Sequence, residues 1–198
     1  MNIGRVADHE PRLVTDEQRE AAVLVPVIDR DDGPALLFTK RADHLGEHPG
    51  QMSFVGGGHE PSDDDLWETA LREAHEEIGL RPEEVEHVGR LDDIRTITGY
   101  SISPFVVKIP DREYEPDERE VAEIAVLPVS ELTNFDNYEN EHRDHPHYGE
   151  VVIHYFHVDG FTVWGATARM LVQLLELTTD WRAPEKIDRF VDTDPDLG

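Results

Sequence analysis

Between Leu71 and Leu80 the chain reads LREAHEEIGL. Glu73, Glu76 and Glu77 crowd like charges into one helical turn, which costs roughly 0.2–0.5 kcal/mol per pair. Something outside the helix has to offset that repulsion, either water or a cation. At about 100° per residue, Trp67, Ala70, Leu71, Ala74 and Ile78 share one arc of a helix, and the glutamates share the next. The apolar arc anchors the helix. The acidic arc presents carboxylates spaced i, i+3 and i+4, whose oxygens can converge on one point. Hard divalent cations such as Mg²⁺ take oxygen ligands of this kind and complete their shell with water or phosphate. The pattern predicts a helix over 64–78, stopped by Gly79.

A chain this acidic also clusters glutamates by chance on solvated faces, so the neighbourhood has to separate the two readings. Upstream, the glycines at 56–58 read as a turn that can bring backbone groups close to a metal or a phosphate. Downstream, Gly79 and Leu80 lengthen the pattern beyond the cluster.

Gly58, five residues, Asp64, seven residues and then Arg72-Glu73-Ala74-His75-Glu76-Glu77-Ile78-Gly79-Leu80 together resemble the Nudix box, G-x5-E-x7-R-E-U-x-E-E-x-G-U, where U is a bulky aliphatic residue. Asp64 stands where the box has Glu, and Ala74 is small for its aliphatic position. Asp64 lies outside the glutamate cluster and is expected to shape the loop more than the chemistry. The resemblance extends over roughly residues 20–178. LLFTKRADHLGEHPGQMSFVGGG, TGYSISPFV, EVAEIAVLPVSEL and WGATARML are similar to the coenzyme A pyrophosphatase branch, with Val55 for a usual proline and Gly58 for a usual lysine.

The resemblance implies an α+β chain in the Nudix fold, an α/β/α sandwich with a mixed β-sheet between helices. It implies hydrolysis of a diphosphate in a nucleoside diphosphate derivative, coenzyme A or an acyl-coenzyme A, to 3',5'-ADP and 4'-phosphopantetheine, with Mg²⁺ or Mn²⁺. By position in the box, Glu73, Glu76 and Glu77 are the metal ligands, Glu76 and Glu77 belong to the catalytic set, and Arg72 orients them. Glu120, at the end of an acidic loop, is the candidate general base, with Glu115, Glu118 and Glu123 as competitors. Lys40 and Arg41, an adjacent basic pair, are phosphate-contact candidates, and Gly57 and Gly58 belong to the substrate-binding set. The alternatives are an ADP-ribose or nucleotide-sugar pyrophosphatase, and a catalytically silent module that senses a nucleotide.

The whole chain sets further bounds. Its 198 residues, 38% of them hydrophobic, suit one core. We expect an N-terminal extension over 1–19, the catalytic domain over 20–178 and a tail over 179–198 whose end is mobile. No cysteine is present, so any metal is held by oxygen or imidazole. Acids number 44 against 18 basic residues, for a net charge of -26, and only Lys40, Lys108 and Lys186 are lysines. The acids are spread along the chain and interrupted by apolar runs such as AAVLVPVI and ISPFVV. That is the pattern of a folded halophilic surface rather than of disorder. Such a surface repels nucleic acid. With no apolar run of membrane-spanning length and no leader pattern, a cytoplasmic protein is expected. Its partner is a small-molecule nucleotide, neither nucleic acid nor membrane, with a homodimer as one allowed assembly.

Strands are expected at 21–28 and 35–40 as a hairpin, at 52–55, within 85–97, and at 101–109, 120–127 and 150–157. A last helix is expected over 164–177. Residues 111–120 read as an acidic loop and 134–149 as a long polar connection. His142, His145 and His147 lack a ligand frame and are assigned to solvent. Trp164 and Phe156 are assigned to the core rather than to stacking on a nucleobase.

Overall fold

The computed structural model describes residues 1–42, 44, 50–96, 99–145 and 149–191, with only the backbone at 144, 145, 149, 150, 190 and 191. The apolar run at its centre is β1 (Arg19–Ile28), buried from Ala21 onward. It runs parallel to β7 (Tyr100–Lys108) along one edge. Its other edge is shared, antiparallel, by β4 (Val55–Gly58) at Ala21–Leu24 and by β2 (Ala35–Arg41) at Val27 and Ile28. The hairpin expected across residues 31–34 is therefore present.

Outside this core, β3 (Met52–Ser53) and β8 (Val121–Pro128) pair with β2. Strands β5 (Glu86–Arg90) and β6 (Ile94–Arg95) pair with β7. The result is the mixed sheet that was expected.

Period-two alternation along β1 divides the core in two. Val23, Val25 and Val27 pack toward the last helix, residues 165–178, together with its Leu171, Leu174 and Leu175. Ala22, Leu24 and Ile28 pack under the helix over 66–78, against its Ala70, Ala74 and Ile78. Trp67 and Leu71 border that second core, so the apolar arc is the one the spacing predicts.

Two further helices are single turns, α1 (Gly4–Ala7) and α3 (Val129–Leu132). The two long helices are then α2 (Leu66–Ile78) and α4 (Gly165–Thr178). The Asp65 side chain caps α2 by accepting the Glu68 N–H at 2.8 Å. Gly79, at φ 64°, ends it and donates its N–H to the His75 carbonyl at 3.0 Å.

Three expectations are corrected. The glycines at 56–58 form strand β4, not a turn. Within the polar stretch 134–149 lies a strand, β9 (Tyr138–His145), paired antiparallel with β10 (Gly149–Val158). With β11 (Phe161–Trp164) and β12 (Arg189–Val191) these make a second, four-stranded sheet. β9 reads as a loop because, past Tyr138, its buried positions Asn140 and Glu141 are satisfied by hydrogen bonds and ion pairs instead of apolar contact. The Asn140 amide donates to the carbonyls of Pro184 and Lys186, and Glu141 pairs with Arg143 and Arg189. Finally, Phe156 is fully buried, as expected, but Trp164 is 41% exposed.

The ends are also part of the fold. Val6 and Trp181 are buried in the core, and the Asn2 N–H donates to the Thr178 carbonyl at 2.6 Å. His142 lies partly buried in β9, whereas the His145 side chain, His147 and tail residues 192–198 lie outside the described residues.

Candidate active site

The site is built on one face of α2, where β4 passes close beside it. Arg72 is its organiser. Its Nε and Nη2 donate to the two Asp63 carboxylate oxygens at 2.8 and 3.0 Å, and Nη2 also donates to the Gly58 carbonyl at 3.1 Å. Its Nη1 reaches forward to Glu73 at 3.0 Å and to Glu76 at 3.2 Å. A planar guanidinium is suited to a fork of this kind. Arg72 thus contacts two of the three glutamates.

Asp63 is the residue that sequence reasoning missed. Its side chain is 2% exposed, and it accepts hydrogen bonds from the Glu60 N–H at 3.0 Å and the Thr69 hydroxyl at 2.8 Å. The Arg72 contact, chiefly, holds its carboxyl well below the usual carboxylate range. Box spacing pointed to Asp64, but that side chain is exposed, and it is its backbone N–H that bonds, to Glu68. In a run of three aspartates, the only sequence signal was Asp65: as N-cap it fixes the start of α2, which turns Asp63 back toward the helix.

Glu77 is the deepest of the glutamates, at 7% exposure, so the acidic arc is not the fully exposed face that its spacing suggested. Burial, followed by the nearby charges of Glu73 and Glu120, pushes its carboxyl from 4.5 up to about 8, against the opposing Gly56 N–H and Arg41. The Gly56 N–H donates to its Oε2 at 3.3 Å. Burial likewise raises the Glu73 carboxyl. Glu76 stays 58% exposed at the rim.

Gly57 explains how strand and helix approach so closely. A Cβ there would sit 2.5 Å from the Glu73 carboxylate, so any larger residue would push that carboxylate out of its place beside Arg72. Gly58 faces open space and contributes its carbonyl to Arg72.

The acidic loop is fastened to the end of α2. The Asp117 N–H donates to the Glu77 carbonyl at 2.8 Å, and the Asp117 carbonyl accepts the Glu120 N–H at 2.9 Å. The Glu120 carbonyl in turn accepts the Ala42 N–H at 2.9 Å, beside the end of β2. Glu120 is therefore held where its charge acts on both Glu73 and Glu77. Glu115 and Glu118 are exposed loop residues, and Glu123 lines a separate cavity with Lys40. The basic pair is split as well. Arg41 acts on Glu77, while Lys40 lines the cavity, and a register shift of β2 against β8 falls between them.

Among the described residues, no three acidic or imidazole side chains stand in ready metal-ligand geometry. Arg72 occupies oxygens of both Glu73 and Glu76. The chemistry of the donors still suits a hard cation: they are oxygen ligands, crowded together, and burial raises the carboxyls of Glu73 and Glu77. No helix among the described residues is long and apolar enough to cross a membrane.

The geometry agrees with what the chain is similar to. A family model, the NUDIX domain, matches residues 18–151. An uncharacterised Nudix hydrolase, NudL, from Enterobacter sp. (strain 638) is 45% identical over 115 residues, covering 57% of this chain and 59% of that protein. Its counterpart from Cronobacter sakazakii is 47% identical over 106 residues, covering 53% and 55%. The chain thus spans little more than half the length of these relatives.

Among solved structures, a MutT/nudix family protein from Enterococcus faecalis aligns with a TM-score of 0.54 at 14% identity, covering 85% of this chain and 64% of that one. The Nudix hydrolase RenU from M. smegmatis aligns with a TM-score of 0.50 at 21% identity, covering 58% and 73%. Likeness at these identities speaks for the fold alone. With the family model matched over more than half its length, and the box residues gathered around Arg72 on α2, this chain belongs to the Nudix family.

Proposed function

We propose that this chain is a divalent-metal-dependent hydrolase that splits the diphosphate of coenzyme A or an acyl-coenzyme A into 3',5'-ADP and a 4'-phosphopantetheine product. The observation that carries the reading is the cluster of Glu73, Glu76 and Glu77, the first two gripped by Arg72 and the third bonded by Gly56 of a glycine strand. These three residues would hold Mg²⁺ or Mn²⁺, which when bound supplies positive charge to the diphosphate oxygens as the transition state forms. Arg72, anchored on Asp63, fixes two of the carboxylates. Arg41, whose charge already reaches Glu77, is the contact for substrate phosphate. Water attacks one phosphorus, its proton passes to Glu120, and the bond from that phosphorus to the bridging oxygen breaks.

The coenzyme A preference rests on the segment TKRADHLGEHPGQMSF, which leads from β2 into the glycine strand. ADP-ribose or a nucleotide sugar is the competing substrate class. The presence of all three glutamates and Arg72 weighs against a silent nucleotide sensor.

The test is a substrate panel of coenzyme A, dephospho-coenzyme A and ADP-ribose with Mg²⁺ and Mn²⁺ in molar KCl, with products separated by chromatography. Release of 3',5'-ADP with coenzyme A as the best substrate is expected. A preference for ADP-ribose overturns the coenzyme A reading and spares diphosphate hydrolysis. If nothing is cleaved, the sensor is the better account.

A further inference from the structure

A cleft lies on the far side of Lys40 from the carboxylate cluster, between β2, β8 and the β10–β11 hairpin. Its volume is about 480 Å³, and Lys40, Met52, Glu123, Asp159, Phe161 and Trp164 are among its walls. That is within the roughly 300–1,000 Å³ of small-molecule sites. We infer that this cleft receives an aminopurine nucleotide, with its base stacked on Trp164.

Trp164 carries the argument. It ends β11 and is the N-cap residue of α4, so its backbone is fixed at both sides, yet its side chain is left 41% exposed on the cleft wall. Tyr155, its cross-strand partner, lies beside it with ring centroids 6.4 Å apart and planes inclined by 15°. The indole is thus a braced, flat apolar surface with an open side, which is what a base needs for stacking.

The polar groups of the cleft select the base. Glu123 and Asp159 offer only acceptors when ionised, and neither has a hydrogen-bond or ion-pair partner among the described residues. The exocyclic amino group of adenine supplies two N–H donors to these acceptors, whereas hypoxanthine has only its ring N1–H to offer on that edge. Asp159 is also held in place: it occupies the left-handed region at φ 52°, followed by Gly160 at φ 82°, in a two-residue turn between paired Val158 and Phe161. Such turns match the twist of their strands and are stiff.

Lys40 is the cleft's cation. In a chain with 44 acids its side chain makes no ion pair or hydrogen bond among the described residues, although its neighbour across the sheet is Glu123. It can therefore meet the nucleotide's phosphate. The next residue, Arg41, acts on Glu77, so the cleft and the carboxylate cluster meet at the same end of β2. Naming the occupant as the substrate's base rests on the hydrolase reading proposed above, but its binding is measured without turnover.

AMP and IMP are titrated into the metal-free protein in molar KCl, followed by tryptophan fluorescence and calorimetry, with thermal melting as the check on folding. AMP is expected to quench fluorescence and to bind more tightly than IMP. Trp164→Leu should weaken AMP binding by about 5- to 150-fold, and Trp164→Phe should keep most of it. The double substitution Glu123→Gln with Asp159→Asn should bring AMP down to the level of IMP. Equal binding of AMP and IMP by the wild type overturns the inference, and so does wild-type AMP affinity in a folded Trp164→Leu. Hydrolysis without Trp164-dependent AMP binding sinks this inference and leaves the proposed function standing. Trp164-dependent AMP binding without hydrolysis does the reverse.

Discussion

Replacing Glu77 with glutamine should move stability and activity in opposite directions. In the folded, metal-free protein the Glu77 carboxyl is pushed up to about 8 from 4.5. An acid whose folded value is raised contributes stability that is fully present below its unfolded value and is lost as pH rises through the folded value. The window therefore opens near pH 4.5 and closes near pH 8. At about 1.4 kcal/mol per pH unit, ionisable Glu77 costs the metal-free protein about 3 kcal/mol at pH 7 and about 5 kcal/mol above pH 9. Glutamine keeps the shape and the acceptor for the Gly56 N–H but cannot ionise. Glu77→Gln should thus match the wild type near pH 4 and exceed it by about 3 kcal/mol at pH 7, roughly 6–12 °C in Tm for a chain of this size. Urea unfolding of both proteins in EDTA and molar KCl, at pH 4, 7 and 9, reads the difference. Taking that difference cancels the general pH dependence of so acidic a surface. With saturating Mg²⁺ the variant should lose most turnover, since a ligand is gone. A stability gap that does not change with pH would refute the burial argument, and wild-type turnover would refute the ligand assignment.

Asp63→Asn should lower kcat by about 10–100-fold, the usual cost of removing a group that orients a ligand, while Asp64→Asn should not; equal effects on steady-state kinetics would return the weight to box spacing. Arg41→Ala should reduce the preference of kcat/KM for coenzyme A over dephospho-coenzyme A by about 10–150-fold, from the roughly 1.5–3 kcal/mol of a charged phosphate contact; an unchanged ratio removes Arg41 from the recognition of that phosphate. We propose that the net charge of -26 makes the fold depend on salt. The screening length grows from about 3 Å at 1 M to about 30 Å at 0.01 M, so thermal melts should drop as KCl is diluted, and a Tm independent of KCl contradicts a halophilic surface.

The parts of the fold legible in the sequence were those where burial is apolar and periodic. β1 and α2 fall into this class, since Val23, Val25 and Val27 alternate with Ala22 and Leu24, and Ala70, Ala74 and Ile78 keep helical spacing. β9 was illegible because Asn140 and Glu141 are buried by pairing with residues more than forty positions away, a relation no local pattern carries. The site divides the same way. The glutamate spacing along α2 is local, so it could be read. That Arg72 turns to Asp63 rather than Asp64, and that Lys40 and Arg41 part company, depends on the loop before α2 and on a shift between β2 and β8. Trp164 was assigned to the core because a large aromatic beside a helix start usually packs there, and nothing in the sequence says that a cleft opens beside it.

The hydrogen bonds that bury β9 also set an order of events. A ribosome releases the Nudix box and the central sheet before residues 184–191, which close over Asn140 and pair with β9. Until those residues emerge, the Asn140 side chain has water as its partner and no reason to leave it. The nascent chain therefore carries a nearly complete carboxylate face on α2 beside an unfinished second sheet. That sheet, whose closing contacts span 48 positions in sequence, is where chaperones and proteases would find this protein open.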